Sequence, residues 1–301
     1  MPSRRVGYRG FARRSALTST AETTPRMAFA RANWPLDHLI WKVRVSSDPL
    51  GRRLEACVVD IHCHIIPEVD DGAPSWEVAL EMCKIAARDG IDHIVATPHA
   101  NYEYAYDRDQ LGARLDRLRD LAGGSPHLTL GCDFHLSYEN LEDAFAHPER
   151  YTIGDTGYLL VEFSDYSIPR QITTALFRLL EMGITPVVTH PERNPLLQTD
   201  WKGLSEWIEA GCLIQITANS LTGFWGEHAR RSARALLDRN AVHVLASDAH
   251  ENRRRVPILS AARNAVALWH GEALARALVE DNPRAIIAGQ KIPASAARAG
   301  N

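Results

Sequence analysis

From Cys57 onward the chain alternates short apolar runs rich in valine, isoleucine and leucine with amphipathic stretches of roughly ten to sixteen residues, and this rhythm limits the fold more than any other feature. Two parallel strands cannot be joined by a tight turn; they need a crossover, usually a helix. Strands are predicted at 57–62, 93–97, 128–132, 158–163, 185–189, 212–217 and 242–247. Helices are predicted at 75–89, 108–122, 169–182, 202–210, 227–239 and 259–269, with two shorter pieces at 272–279 and 282–288. Gly90, Gly183 and Gly211 stand where a left-handed helix cap is favoured. Seven β/α units suit a TIM-like (β/α)7 barrel, and a doubly wound open sheet competes because it uses the same alternation. Where the polar residues fall decides between them.

Composition removes several alternatives. With 301 residues, 45% of them hydrophobic and 24% charged, the chain supports one large globular domain or two small ones. No apolar run approaches the roughly 18 residues that a membrane-spanning helix needs. The net charge of −3 is unevenly spread: residues 1–56 hold eleven Arg and Lys against four Asp and Glu. That basic head has neither helical nor strand periodicity and is expected to be a disordered leader; a nucleic-acid or anionic-membrane arm is the weaker reading. Arg13-Arg14 is followed by polar residues rather than a signal-peptide core, so no export is expected. The five cysteines show no Cys-x-x-Cys spacing, which points to a reducing, cytoplasmic compartment and away from structural zinc. None is followed six positions later by arginine, so the phosphate loop of cysteine-dependent phosphatases is absent.

In Val59-Asp60-Ile61-His62-Cys63-His64 the alternation of strand side chains puts both imidazoles on one face and Cys63 on the other. Two neutral imidazoles side by side suit a divalent metal, although the pair alone is weak evidence. The later strands add to it, because His99, Asp133, His190, Asp248 and His250 all stand at strand C-terminal ends, and Asp70 and Asp71 follow the first strand. In a (β/α) barrel those ends share one mouth, where such enzymes place their chemistry, so the placement favours the barrel over the open sheet. So many ligand-competent groups exceed one tetrahedral zinc and fit two or three ions sharing a bridging carboxylate. Mixed imidazole and carboxylate donors suit manganese, iron or zinc. The tyrosines of 101–106 and the pair Phe224-Trp225 are candidates to stack on an aromatic substrate, with plain surface exposure the blander reading.

Taken together, Asp-x-His-x-His, Asp-Asp-Gly, Thr-Pro-His, Gly-Cys-Asp, Thr-His-Pro-Glu-Arg and Ser-Asp-Ala-His resemble the polymerase and histidinol phosphatase (PHP) family over residues 58–290. Within it the chain is most similar to the bacterial manganese-dependent protein-tyrosine phosphatases of capsule and exopolysaccharide clusters. Val69-Asp70-Asp71-Gly72, Tyr158-Leu159-Leu160-Val161-Glu162-Phe163, Gly183-Ile184-Thr185-Pro186-Val187-Val188 and Gly223-Phe224-Trp225-Gly226 carry that likeness. The resemblance implies a distorted seven-stranded barrel over 57–292, a tail at 293–301, and three metals held by His62, His64, Asp71, His99, Asp133, His190, Asp248 and His250. His62, His64, Asp133 and Asp248 would hold one ion, Asp133 would bridge to a second with His190, and Asp71, His99 and His250 would hold the third. One departure stands out: the bridging position is usually glutamate in this family and here is Asp133, one methylene shorter. His135, two residues on, faces the same way and is either a helper or a surface residue.

The implied reaction is attack of a metal-activated hydroxide on phosphorus with no phosphoenzyme, Arg193 and Arg255 gripping the phosphate beside Asp248. The implied substrate is a phosphotyrosine protein, the tail of a bacterial tyrosine autokinase controlling polysaccharide export. No nucleic acid and no membrane insertion are expected, and a homo-oligomer is left open. Two alternatives remain: a small-molecule phosphatase of the same family acting on histidinol phosphate, and a non-catalytic PHP module kept for binding.

Overall fold

The computed structural model describes residues 46–47, 53–54 and 57–292. The expected tail at 293–301 lies outside them, as does the basic head apart from β1 (Ser46–Ser47) and β2 (Arg53–Leu54), which pair antiparallel. Among the described residues no helix is long and apolar enough to cross a membrane.

Seven β/α units follow. The first is β3 (Val58–Cys63) with α1 (Trp76–Asp89). The second and third strands are each broken in two: β4 (Ile91–Ala96) and β5 (His99–Ala100) precede α2 (Arg108–Ala122), and β6 (His127–Leu130) and β7 (Asp133–His135) precede α3 (Tyr138–Ala146). Next come β8 (Tyr158–Glu162) with α4 (Gln171–Glu181), and β9 (Thr185–Thr189) with α5 (Trp201–Ala210). Then β10 (Leu213–Thr217) leads to α6 (Ala218–Leu221) and α7 (Gly226–Asp238), and β11 (Val244–Ala246) to α8 (Ser260–His270). The described chain ends through α9 (Glu272–Arg276), a π turn at Ala277–Asp281 and α10 (Asn282–Ile287).

Every pairing from β3 to β11 is parallel, in the orders β3-β4-β6 and β5-β7-β8-β9-β10-β11. The last strand returns to the first through a parallel bridge between Cys63 and Ala249, where His64 N–H donates to the Ala249 carbonyl and Asp248 N–H to the His62 carbonyl, both at 2.8 Å. The result is a distorted (β/α)7 barrel. The second strand breaks at Pro98, which has no N–H for the ladder, and the third breaks beside it at Gly131-Cys132, where a side chain on Gly131 would meet Val95 Cγ1 at 2.8 Å. The strand predicted over 128–132 therefore stops at Leu130 and restarts at Asp133.

Alternation of side chains sorts the core into two parts. Val59, Ile61, Val95, Tyr158, Leu160, Val187, Leu213, Val244 and Ala246 fill the barrel interior. Ile94, Leu159, Val161, Val188, Ile214, Ile216 and Leu245 face outward against the helices. The inward face then becomes the active mouth, since two residues beyond Leu160, Leu213 and Ala246 stand Glu162, Gln215 and Asp248. Helix α1 shows how a helix is fixed outside: Ser75 caps it by accepting from Val78 N–H, Ala79, Met82, Cys83 and Ala86 form the buried stripe, and Gly90 ends it at φ 88°.

Candidate metal centre

A β-bulge in β3 sets up the centre. Asp60 pairs with Ile94 and Cys63 with Ala96, so three steps on β3 match two on β4. Val59 and Ile61 can then fill the interior while His62 and His64, on what would otherwise be the opposite phase, also turn inward. Their Nε2 atoms lie 3.2 Å apart, two lone-pair donors aimed at one point. Asp60 is left on the other side of the strand, where it accepts from Ser247 N–H at 2.9 Å and Ser247 Oγ at 2.5 Å and so ties β3 to the end of β11.

All eight residues expected as ligands meet at this mouth. His64, Asp71, His99 and His250 form one group close enough to share an ion, and His62, His64 and Asp133 form a second. The third, His99, Asp133 and Glu162, contains a residue absent from the expected set. Glu162 also reaches His190, its Oε1 lying 3.6 Å from Nε2. Its signal was present in the sequence, for it ends β8 on the inward face by the same rule that selects the others. Asp248 sits among them, its Oδ1 within 3.6 Å of His62, His64 and His250. His190 and Asp248 take left-handed backbone conformations, φ 34° and 51°, which a non-glycine residue holds only under constraint and which cluster at functional sites.

Supporting residues fix the orientation of the donors. Asp70 holds His64 Nδ1 at 2.7 Å, leaving Nε2 free as the donor, and also accepts from Gly72 and His99 N–H groups. Gln215 Oε1 does the same for His62 Nδ1 at 3.0 Å. Glu192, fully buried, accepts from Thr217 N–H and Ser220 Oγ and so anchors the His190–Arg193 turn to the end of β10. Arg193 and Arg255 both reach Asp248 Oδ2, at 2.5 and 2.8 Å. Asp60, Asp70 and Glu192 stood in the sequence motifs, Asp70 as a candidate for the mouth itself, but their supporting roles were not visible there, and Gln215 carries no spacing that separates it from an ordinary polar residue.

The donor set fits divalent cations. Both carboxylate oxygens of Asp133 are buried without a hydrogen-bond partner, although nitrogens of His99 and His62 stand 3.2 and 3.5 Å from Oδ2. An anion so placed needs positive charge along its lone pairs. Protons supply it in part. Burial alone would strip His62, but Asp133 and Asp248 overrule it and hold its pKa at about 9. Contacts with Asp133 and Asp71 push His99 up to about 12 against the same burial. Removal from water, followed by the Asp133 charge, raises Glu162 to about 8. His64 moves the other way, to about 3, through burial and the neighbouring His250 and His99.

The mouth opens into a cleft of about 540 Å³, walled by Tyr102, Phe163, Tyr166, Trp225 and both arginines. The tyrosines of the 101–106 loop divide their tasks: Tyr106 donates to the Gly131 carbonyl, Tyr104 stacks on His99, and Tyr102 stands exposed on the rim with its hydroxyl donating to Glu103. His135 also lines the cleft.

Residues 58–288 match the family described as capsular polysaccharide synthesis, CpsB/CapC. The chain belongs to this family. Its CpsB/CapC relatives include the tyrosine-protein phosphatase CpsB of Streptococcus pneumoniae, 33% identical over 244 residues that span 78% of this chain and 100% of the relative. The tyrosine-protein phosphatase YwqE of Bacillus subtilis is 35% identical over 66% of this chain and 79% of its own. A solved structure from a study of YwqE and CpsB, described there as unique metal-dependent tyrosine phosphatases, aligns with a TM-score of 0.73 and 31% identity, covering 78% of this chain and 96% of its own.

Proposed function

We propose that this chain is a metal-dependent protein-tyrosine phosphatase whose substrate is the phosphorylated tail of a tyrosine kinase governing capsule or exopolysaccharide synthesis. The observation that carries the reading is the convergence of three ligand groups on one mouth beside two arginines. Two or three ions, manganese first, with iron and zinc as alternatives, would be held by His62, His64, Asp71, His99, Asp133, His190, Asp248 and His250, with Glu162 added. Bound there, they would lower the pKa of a water molecule and neutralise phosphoryl oxygens.

The chain's own residues account for the rest. Arg193 and Arg255, held and aimed by Asp248, are placed to donate charge-assisted hydrogen bonds to the phosphoryl group. Tyr102, Phe163 and Trp225 give the substrate ring apolar walls. A phenol with a pKa of about 10 leaves more readily than an alkyl alcohol, which lessens the need for a general acid. A thiol phosphoenzyme is disfavoured, because burial holds Cys63 and Cys132, the cysteines nearest the ligands, well above their usual pKa. All five cysteines are free, in keeping with a cytoplasmic location. Residues 57–292 would carry the whole activity.

The deciding assay compares a tyrosine-phosphorylated peptide with histidinol phosphate, using protein stripped and reloaded with Mn²⁺, Fe²⁺ or Zn²⁺ and the variants His62→Ala and Asp248→Ala. Metal-restored release from the peptide, lost in both variants, is expected. Preference for histidinol phosphate would move the chain to small-molecule chemistry, and inactivity with every metal would leave a binding module.

A further inference from the structure

The turn between α6 and α7 presents one side chain to both arginines. Gly223 and Gly226, each at φ 86°, bracket Phe224-Trp225, and the Gly226 N–H closes the turn on the Gly223 carbonyl at 3.1 Å. Trp225 enters the cleft wall while Phe224 meets it edge-on, with ring centres 5.1 Å apart. The Arg193 guanidinium lies 4.4 Å from the Trp225 ring centre and that of Arg255 5.2 Å from it. Two like charges are thus gathered on one carboxylate oxygen and one aromatic ring.

Those two anchors are not equivalent. Asp248 is also the neighbour of His62, His64 and His250, so any cation held there draws on the carboxylate that restrains the arginines. The quadrupole of the indole ring is subject to no such competition. Trp225 Nε1 and Arg255 Nε are, in addition, shielded donors without a hydrogen-bond partner.

We propose that Trp225 is the positioning residue of the phosphate clamp: its ring holds Arg193 and Arg255 together in the metal-loaded enzyme and thereby sets affinity for the phosphoryl group. The assignment rests on the phosphatase reading above and adds to it a residue outside the metal centre. A leucine would keep apolar bulk and lose the cation-binding face, and a phenylalanine would keep the face.

The experiment uses the full chain loaded with Mn²⁺ and measures inorganic phosphate binding by calorimetry, alongside KM and kcat on a phosphotyrosine peptide, metal content and melting temperature. Trp225→Leu is expected to weaken phosphate binding by roughly 5- to 30-fold, the scale of two cation–π contacts. It should raise KM by a similar factor and leave metal content and melting near wild type, and Trp225→Phe should recover binding to within about threefold. Wild-type phosphate affinity in Trp225→Leu would overturn the proposal. So would a Phe variant as weak as the Leu variant, or weakening that follows metal loss. A wild-type protein that binds phosphate yet hydrolyses no peptide would defeat the phosphatase reading, while the comparison among the variants would still judge Trp225.

Discussion

Replacing Gly72 with alanine should disable the candidate metal centre without replacing any ligand. A Cβ at this position would lie 2.3 Å from the His64 carbonyl oxygen, 2.5 Å from His64 Cβ and 2.9 Å from Asp70 Oδ1. Two of those atoms are fixed by the backbone of the strand that carries His64, so no rotamer relieves the overlap. Reaching ordinary contact requires the turn to back away by roughly 1 Å. That turn is closed by Ala73 N–H on the His64 carbonyl at 3.0 Å and by Gly72 N–H on Asp70 at 2.9 Å. Its retreat would pull Asp70 off His64, now at 2.7 Å, and Asp71 off His99 and His250, both at 3.4 Å. Overpacking of this kind costs about 1–3 kcal/mol of stability. A displacement of about 1 Å at a reacting centre costs on the order of 100-fold in rate, and loss of an orienting partner about 10- to 100-fold in metal affinity. Gly72→Ala should therefore remain folded, melt a few degrees lower, bind Mn²⁺ more weakly by calorimetric titration and lose about 100-fold in kcat/KM on a phosphotyrosine peptide. Metal affinity and kcat/KM both within about threefold of wild type would refute the reasoning.

Glu162→Gln keeps the size of the side chain and removes its charge from the group with His99 and Asp133. It should lower the metal content of the loaded protein, and unchanged stoichiometry by elemental analysis would remove Glu162 from the centre. Asp60→Ala leaves the buried Ser247 N–H and hydroxyl without their acceptor. Urea unfolding should show a loss of about 2–4 kcal/mol, and a midpoint equal to wild type would mean that this tie contributes nothing to joining β3 and β11. His93 bonds Thr129 Oγ1 at 2.7 Å at the other end of the barrel, and burial, with help from His127 and Arg119, lowers its pKa to about 4. The unfolded chain then binds the extra proton first, so stability falls as pH drops from about 6.5 toward 4. His93→Gln should flatten that slope by about 1–2 kcal/mol after allowance for partial exposure; equal slopes in urea titrations at pH 7, 5.5 and 4.5 would refute the assignment.

The convergence of the candidate ligands on one mouth was legible because they obey one positional rule, a polar group at the inward end of a strand. Asp133, His190 and Asp248 are read that way, and Glu162, which ends β8, obeys the same rule but was hidden inside the apolar strand predicted over 158–163. The barrel was legible from its β/α rhythm. What escaped was local: α3 has only nine residues and a short apolar stripe among acidic ones, and no helix is predicted between 122 and 169. The β3 bulge also left no mark, since an inserted residue looks like any other until its pairing partner is known. Nor could spacing show that Trp225, apparently scenery, lies against two arginines that are 62 positions apart in the sequence.

The seam across the second and third strands bears on how the buried carboxylate of Asp133 is held in place. Asp133 begins a short segment, Asp133–His135, that is paired with β5 and β8 but separated from β6 by Gly131-Cys132. Asp133 therefore takes its position from β5 and β8, while Leu128 and Leu130 stay packed against the helices below the break. The interruption thus works as an expansion joint: the rim that carries Asp133 is aligned by its neighbours on either side, and the packed wall beneath it is aligned separately.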